Sequence, residues 1–318
     1  MPDIVITEFM DEAAVESLRA EFDVHYDPQL VGSPQEIARL GAAARALIVR
    51  NRTRVNRALL EALPRLVAVG RLGVGLDNID LPACRERGIA VLPATGANDD
   101  SVAEYVIAGA LMMLRGAYFS TPAMVAGAWP RERLMGREAA GKTLGLVGFG
   151  RIARAVATRA RALGMTVVGY DPFVAADDPA WTFNRATSVP MNELLAGSDV
   201  VSLHLPLTEE TRRMIDAVAI GRMKRGAILI NAARGGIVDE AALAAALRSG
   251  HLGGAMVDVF ETEPLGPDNP FADVPNLVLT PHIAGVTVES NERVSAVTAE
   301  NVRRALSAAG TATGGRAG

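Results

Sequence analysis

The sequence contains a single cysteine, Cys84, among its 318 residues. One thiol excludes an intrachain disulfide framework and any metal site built from several cysteines, and we expect no metal site. The chain also lacks an apolar run long enough to span a bilayer. Its N-terminal residues show no basic region followed by an export-type apolar stretch. We therefore expect a cytoplasmic protein without a membrane partner.

An excess of positive charge is also missing. Lys plus Arg number 32 and Asp plus Glu 36, which gives a formal net charge of −4. A duplex-binding protein usually carries a basic footprint, so no nucleic-acid partner is expected. With 49% apolar and 21% charged residues, the composition is that of a globular protein. The length favours two domains.

Short β-branched runs alternate with Ala- and Leu-rich helical stretches along the chain. This alternation predicts parallel sheets covered by helices on both faces, so the expected fold is α/β with two doubly wound domains. We expect a flavodoxin-like substrate domain from residues 1–98 and 287–318, and a Rossmann cofactor domain from residues 99–286. The last predicted helix, Glu289–Ala308, returns to the first domain. The segment Thr121–Arg137 is predicted to be irregular.

A glycine motif lies between a predicted strand, Thr143–Val147, and a predicted helix. It reads Gly148-Phe149-Gly150-Arg151-Ile152-Ala153, the G-x-G-x-x-A form of a dinucleotide-binding turn. Gly148 permits the tight turn, Gly150 lets a pyrophosphate approach the backbone, and Ala153 keeps the helix close to the sheet. The phosphates are expected at the helix N-terminus, where free N–H groups favour anions.

Asp171 ends the next predicted strand, Thr166–Tyr170. A carboxylate there accepts hydrogen bonds from ribose hydroxyls and repels a 2′-phosphate, which favours NAD over NADP. A methyltransferase that binds S-adenosylmethionine has a similar glycine turn and acidic strand end. The motif by itself leaves both classes open.

Three later segments carry charged side chains just past the ends of predicted strands: Arg234, the carboxylates Glu261 and Glu263, and His282. In an open parallel sheet such strand ends face one crevice. A guanidinium can bind a carboxylate with two hydrogen bonds, a histidine exchanges protons near neutral pH, and a carboxylate can orient the ring. Beside a nicotinamide this set suits oxidation of a hydroxy acid, and a methyltransferase has no use for it.

The joint pattern resembles the D-isomer-specific 2-hydroxyacid dehydrogenases, in the branch that contains phosphoglycerate and sulfolactate dehydrogenases. The resemblance extends over nearly the whole chain, and its most specific segments are Asn231–Gly235, Asp258–Pro264 and Pro281–Ile283. It implies an NAD-dependent oxidoreductase with a small-molecule substrate. It further implies three catalytic residues: Arg234 holds the substrate carboxylate and carbonyl oxygen, His282 is the acid/base, and Glu263 rather than Glu261 is its partner.

The resemblance also implies two sets of binding residues. The cofactor set comprises Gly148, Gly150, Arg151, Ile152, Asp171, His204, Pro206, Ala232 and Asp258. The substrate set comprises Arg50, Asn51, Arg52, Arg71 and the backbone N–H groups of Val74 and Gly75. A homodimer is implied as well, with its contact on the predicted helix Ser101–Gly116 and the arm that follows.

Arg50, Arg52 and Arg71 lie at predicted strand ends. Guanidinium groups match phosphate or sulfonate oxygens, so the cluster suits a substrate with a second anionic group, and 3-phosphoglycerate and 3-sulfolactate are the two candidates. The alternative is a solvated basic face without a ligand. Two other functions also stay open: a glyoxylate/hydroxypyruvate reductase, and a non-catalytic corepressor that senses NADH.

Overall fold

The computed structural model describes residues 1–314. The chain divides into two compact units, Met1–Asn98 with Val286–Gly318, and Asp99–Gly285. Residues 315–318, at the end of the predicted substrate domain, lie outside the described residues. We call the two the N-terminal unit and the middle unit.

The N-terminal unit contains a five-stranded parallel sheet. Its strands are β1 (Ile4–Ile6), β2 (Val24–Tyr26), β3 (Ala46–Val49), β4 (Ala68–Arg71) and β5 (Ala90–Pro93). Their order is β2-β1-β3-β4-β5, the order of flavodoxin-like folds. All residues of β1 and β3 are buried, as expected for central strands covered on both faces.

Four short helices connect these strands: α1 (Glu12–Arg19), α2 (Pro34–Gly41), α3 (Arg57–Glu61) and α4 (Leu81–Glu86). Three of them begin after a residue whose side chain accepts a hydrogen bond from the first turn, namely Asp11, Asn56 and Asp80. Such caps satisfy backbone N–H groups that have no partner within the helix.

The middle unit contains a seven-stranded parallel sheet. Its strands are β6 (Thr143–Val147), β7 (Thr166–Tyr170), β8 (Thr187–Ser188), β9 (Val200–Leu203), β10 (Ile228–Asn231), β11 (Gly254–Val257) and β12 (Leu277–Leu279). Its helices are α5 (Asp99–Arg115), α6 (Thr121–Val125), α7 (Arg151–Ala162), α8 (Pro179–Phe183), α9 (Met191–Gly197), α10 (Ala217–Arg222) and α11 (Glu240–Arg248). The strand order is β12-β11-β10-β9-β6-β7-β8. From β6 the chain first adds β7 and β8 on one side and then β9 to β12 on the other side, as in Rossmann folds.

The last helix, α12 (Val288–Gly314), belongs to the N-terminal unit and lies directly on its sheet. A Cβ added to Gly70 in β4 would come within 2.7 Å of Val302 in this helix. Val302 and Leu306 are fully or almost fully buried in one apolar cluster with Ile4 and Ile48. Glycine in β4 thus allows a close approach that a larger residue would prevent.

The structure confirms the prediction of two doubly wound parallel sheets. It differs in detail in the segment Thr121–Arg137, where Thr121–Val125 forms the short helix α6 instead of irregular chain. Pro122 explains this helix, because a proline in the first turn is preorganised for helical geometry.

Among residues 1–314, no helix is both long enough and apolar enough to cross a membrane.

Candidate active site

The turn between β6 and α7 leaves open space in front of a helix N-terminus. Gly148 has a φ of +91°, and a Cβ there would overlap the carbonyl oxygen of His204, so the turn requires glycine. A Cβ at Gly150 would meet no atom within 4 Å, and α7 begins after Gly150 without a side-chain cap. Ala153 is fully buried beneath the turn. The residues present therefore fit a dinucleotide pyrophosphate.

Asp171 follows the end of β7 and is tied to this turn. Its Oδ2 accepts a hydrogen bond from the N–H of Phe149 at 2.8 Å, and its Oδ1 accepts one from the N–H of Phe173 at 2.9 Å. These bonds fix the carboxylate beside the glycine turn. Each oxygen keeps a further lone pair, which is the acceptor capacity that ribose hydroxyls need.

His204 lies behind the same turn. Its backbone N–H donates to Val147 at 2.7 Å, and its Nε2 lies 3.0 Å from the hydroxyl of Ser202. Burial lowers the pKa of the His204 ring to about 4. The ring is therefore neutral near pH 7 and does not add a positive charge beside the phosphate site.

The other residues predicted to bind the cofactor make contacts within the middle unit. Arg151 forms an ion pair with Asp99 at 2.8 Å. Ile152 and Ala232 are partly buried against the core of the middle unit. The carbonyl oxygen of Pro206 accepts the hydroxyl proton of Thr211 at 2.7 Å, which fixes the loop after β9.

The structure brings two of the three predicted catalytic side chains into direct contact. His282 Nδ1 lies 2.8 Å from Glu263 Oε2, and Glu263 Oε1 accepts a hydrogen bond from the N–H of Phe260 at 3.1 Å. Partial burial acts to raise the pKa of Glu263, but the His282 hydrogen bond and charge, the Phe260 N–H and the charge of Arg234 outweigh it, so the pKa lies below its usual value. An ionised carboxylate can only accept, so Nδ1 carries a proton, and in the neutral imidazole Nε2 is then the acceptor nitrogen.

Glu261 occupies a different position in the same loop. Its carboxylate binds the Arg213 guanidinium through two contacts of 3.1 and 3.2 Å. Its backbone N–H donates to Glu240 at 2.7 Å. The geometry therefore makes Glu263 the carboxylate that orients His282, while Glu261 anchors the loop at its outer side.

Arg234 follows β10 in a loop that lies directly against the loop of Glu263. The Asn231 side chain holds this loop by donating to the Arg234 carbonyl oxygen at 3.0 Å and accepting from the Ala233 N–H at 3.1 Å. A Cβ at Gly235 would overlap the carbonyl oxygen of Phe260. Only glycine permits this approach, so the loops of Arg234 and Glu263 share one backbone contact.

Asp258, predicted to bind the cofactor, is 1% exposed. Its Oδ1 accepts from the hydroxyl of Thr280 at 2.6 Å and from the N–H of Ile283 at 2.8 Å, and its Oδ2 accepts from the N–H of Ala284 at 2.7 Å. The carboxylate thus holds the loop on both sides of His282.

In the N-terminal unit, a buried carboxylate organises the loop after β3. Glu8 is 4% exposed and accepts hydrogen bonds from the N–H groups of Arg50 at 2.8 Å, Arg52 at 3.1 Å and Thr53 at 2.9 Å. Asn78 donates to the carbonyl oxygens of Arg50 at 3.2 Å and Thr53 at 2.7 Å. The loop is therefore rigidly held by its backbone, which leaves the exposed side chains of Asn51 and Arg52 at the surface of the unit.

The three predicted anion-binding arginines differ in their surroundings. Arg50 donates to the side chain of Asn291 at 2.8 Å, and burial lowers its pKa although the charge of Glu8 opposes this. Arg71 donates to the carbonyl oxygen of Leu72 at 2.7 Å and covers Gly73, where a Cβ would overlap its guanidinium. Val49 and Arg71 are in register at the ends of β3 and β4, so Arg50 and Arg71 both lie at the carboxyl end of the sheet.

The predicted turn after β4 also lies at this end of the sheet. Gly73 has a φ of +141°, and Val74 and Gly75 follow it as partly buried residues. The described contacts therefore bring the arginine loop and this turn to the carboxyl ends of neighbouring strands.

Sequence reasoning missed Glu8, Asn78 and Asn291. Glu8 had a usable signal, because it closely follows the buried strand β1 and an acidic residue there needs donors. Asn291 had none, since it lies in α12 and reaches Arg50 only through the fold.

Known proteins resemble this chain in both sequence and structure. The family model for the D-isomer specific 2-hydroxyacid dehydrogenase, NAD binding domain, matches residues 107–284. The chain is 61% identical over 307 residues to the (S)-sulfolactate dehydrogenase of Chromohalobacter salexigens, covering 96% of this chain and 99% of that protein. The TT0316 protein of Thermus thermophilus has a similar structure, with a TM-score of 0.87, 37% identity, and coverage of 96% of this chain and 97% of that chain.

The chain is also similar to longer proteins. It is 39% identical over 299 residues to the D-3-phosphoglycerate dehydrogenase of Archaeoglobus fulgidus, covering 94% of this chain. The match spans only 56% of that relative.

Proposed function

The chain belongs to the D-isomer specific 2-hydroxyacid dehydrogenase family and is an NAD-dependent oxidoreductase acting on CH–OH groups, and we propose that its substrate is (S)-3-sulfolactate, oxidised reversibly to 3-sulfopyruvate. The loop after β3 carries this proposal, because it presents Arg50 and Arg52 on a backbone fixed by Glu8. The 61% identity to an (S)-sulfolactate dehydrogenase supports it.

The stereochemical labels agree. At C2 of sulfolactate, the CH₂SO₃⁻ group outranks the carboxylate because sulfur has priority over oxygen. In lactate the carboxylate outranks the methyl group. The S label of sulfolactate therefore describes the same spatial arrangement as the D (R) label of lactate, so a D-specific site accepts (S)-sulfolactate without a change of handedness.

We assign the chemical roles as follows. The Nε2 of His282 takes the hydroxyl proton of the substrate during oxidation and returns it during reduction. Glu263, ionised because its pKa is lowered, stabilises the imidazolium through Nδ1. Arg234 binds the substrate carboxylate and the C2 oxygen, where it stabilises the charge that develops. NAD, when bound at the glycine turn, supplies the nicotinamide carbon that accepts the C2 hydride.

The second anionic group of the substrate falls to the N-terminal unit in this proposal. Arg52 and Arg50 bind the sulfonate oxygens, and the N–H groups of Val74 and Gly75 contribute to the substrate carboxylate. A sulfonate and a phosphate present similar tetrahedral oxygens to guanidinium groups. For this reason 3-phosphoglycerate is the second candidate, supported by the 39% identity to a phosphoglycerate dehydrogenase.

A steady-state screen of NADH oxidation tests the proposal. The 2-oxo acids are sulfopyruvate, phosphohydroxypyruvate, hydroxypyruvate, glyoxylate and pyruvate, each repeated with NADPH. We expect the highest kcat/KM with sulfopyruvate. Best activity on glyoxylate or hydroxypyruvate would overturn the assignment of a second anionic group, and NADH binding without any turnover would favour a sensor.

A matched pair of variants tests the arginine assignment. Arg52→Gln should raise the KM for sulfopyruvate about 10- to 100-fold, the effect of losing one charge-assisted hydrogen bond pair, and should leave the KM for pyruvate unchanged. Arg54→Gln changes an exposed arginine in the same segment and serves as the control. Equal effects of both variants, or an equal effect on pyruvate, would contradict a role of Arg52 in binding the sulfonate.

We also propose that the protein is a cytoplasmic homodimer. The segment from 117 to 137 exposes several large apolar side chains, among them Trp129 at 74% and Met135 at 82%. Such a patch favours a partner surface, and a second copy of this chain is the partner proposed here. Trp129→Glu should convert a dimer into a monomer in sedimentation velocity, whereas Phe183→Glu, at an exposed position of α8, should not. A wild-type monomer would refute the dimer.

A further inference from the structure

His282 occupies a backbone conformation that its surroundings must impose. Its φ is +57°, in the left-handed region that residues other than glycine adopt rarely. A non-glycine residue stays there only when neighbouring contacts fix the chain on both sides. Identifying these contacts shows which residues control the direction of the imidazole.

Asp258 supplies the contacts. Its carbonyl oxygen accepts from the N–H of His282 at 2.8 Å, and its carboxylate holds Thr280 before the histidine and Ile283 and Ala284 after it. All four bonds come from one residue that is 1% exposed. Asp258 therefore holds the chain on both sides of His282, and the Thr280 N–H adds a bond to the Val257 carbonyl oxygen at 3.0 Å.

Tyr105 extends this arrangement to α5. Its hydroxyl lies 2.5 Å from the hydroxyl oxygen of Thr280. Thr280 has one proton, and the Asp258 carboxylate can only accept, so that proton points to Asp258. The bond from α5 must then be donated by Tyr105.

The Tyr105 hydroxyl keeps its proton near neutral pH. Burial raises its pKa to about 12, with a further rise from the charge of Asp258 and an opposing effect of the bond to Thr280. The direction Tyr105 to Thr280 to Asp258 is thus fixed. Each bond in such a series polarises the next one, which strengthens the set in a buried environment.

We propose that Tyr105 and Thr280 are positioning residues that act through Asp258. They hold His282 in its left-handed conformation, in which its ring is hydrogen-bonded to Glu263. The proposal rests on the role of His282 as acid/base proposed above. Neither side chain needs to touch substrate or cofactor. Their hydroxyl groups matter because they orient Asp258, and packing alone would not require them.

Four variants test this. Tyr105→Phe and Thr280→Val each remove one hydroxyl group, Thr280→Ser keeps the hydroxyl, and the fourth is the double variant Tyr105→Phe/Thr280→Val. We expect each single removal to lower kcat about 10-fold, corresponding to about 1.4 kcal/mol. Thr280→Ser should restore kcat. The double variant should be no worse than Thr280→Val, because Tyr105 acts only through Thr280.

A partly buried tyrosine in the N-terminal unit offers a matched control. The Tyr26 hydroxyl bonds to the carbonyl oxygen of Met10 at 3.2 Å. Tyr26→Phe therefore removes a comparable hydrogen bond without touching the loop of His282. It should lower the melting temperature as much as Tyr105→Phe does, with kcat unchanged. Equal losses of kcat in the two variants would show a general effect of stability and overturn the proposal.

The second measurement needs no substrate. The Nδ1 proton between His282 and Glu263 should give a downfield proton resonance in protein labelled with ¹⁵N-histidine, assigned by its loss in His282→Gln. We expect it to broaden or shift in Tyr105→Phe and Thr280→Val and to persist in Tyr26→Phe and Thr280→Ser. An unchanged resonance with wild-type kcat, or additive losses in the double variant, would overturn the positioning role. Absence of turnover in the wild-type protein would instead count against the proposed function, and the resonance would still test the positioning.

Discussion

Replacing Glu263 by glutamine preserves the size of the side chain but leaves one acceptor oxygen and one amide donor. The carboxylate faces two donors, the Phe260 N–H at 3.1 Å and His282 Nδ1 at 2.8 Å. A backbone N–H cannot become an acceptor, whereas an imidazole can carry its proton on either nitrogen. We therefore expect the amide oxygen to turn to Phe260 and the amide N–H to donate to Nδ1. The histidine proton then lies on Nε2.

This tautomer blocks general-base catalysis. A protonated Nε2 cannot take the substrate hydroxyl proton, and a positioned general base contributes about 10²- to 10⁴-fold to rate. Glu263→Gln should therefore lower kcat for hydroxy acid oxidation by about 10²- to 10⁴-fold. NADH affinity should stay unchanged, because Glu263 is not among the residues predicted to bind it.

The assay compares Glu263→Gln with Glu261→Gln. Glu261 pairs with Arg213 at the outer side of the same loop, and an exposed ion pair contributes little to stability. We measure kcat for oxidation and reduction, NADH binding by fluorescence, and the melting temperature. Wild-type kcat in Glu263→Gln, or equal losses in the two variants, would refute the reasoning.

Because the pKa of Glu263 is lowered from 4.5, its stabilising contribution is present above that pH and is lost as the pH falls through the folded value.

Three further substitutions probe the described contacts. His204, with a pKa lowered to about 4, stabilises the folded state above pH 6.5 and loses this contribution between pH 6.5 and 4. The free energy of unfolding in urea should therefore fall from pH 7 to pH 5 by about 1–2 kcal/mol more in the wild type than in His204→Gln. An equal fall in the two proteins would contradict this. Asp171→Ala should raise the KM for NADH about 10- to 100-fold and reduce the preference for NADH over NADPH. An unchanged ratio of the KM values for NADH and NADPH would contradict a role of Asp171 in binding the ribose. In Glu8→Gln an amide N–H group faces at least one of the three backbone N–H groups that donate to Glu8. The substitution should lower the free energy of unfolding by about 1–3 kcal/mol in a denaturant titration. Wild-type stability of the variant would contradict this.

The fold was predictable because its signals are local. Strands such as Thr143–Val147 and Thr166–Tyr170 are short apolar runs bounded by turn residues, and both lie where the sequence predicts them. The same holds for the family, the NAD dependence and the reaction class, which the comparisons confirm. Strand β8 was missed, because two residues carry no periodicity.

The contacts that support the site were less predictable. The bond from Tyr105 to Thr280 joins residues 175 positions apart, and no pattern in the sequence relates them. Asn291 and Arg50 are separated by 241 positions. The sequence identifies the residues with reactive groups, because these occur in short motifs. It does not identify the residues that hold them in place, because these contacts arise only when distant segments meet.

The return of α12 to the first sheet has a consequence for synthesis on the ribosome. The middle unit is continuous from Asp99 to Gly285, so it can fold as soon as that stretch has emerged. The first sheet emerges earlier but lacks the helix that covers Ile4 and Ile48, since Val302 and Leu306 are made last. The first 98 residues of the chain therefore keep one apolar face uncovered while the middle unit, which is made later, completes its fold. A nascent chain held with Gly285 outside the ribosomal exit tunnel and α12 still inside it should thus contain a protease-resistant middle unit and a protease-sensitive first unit.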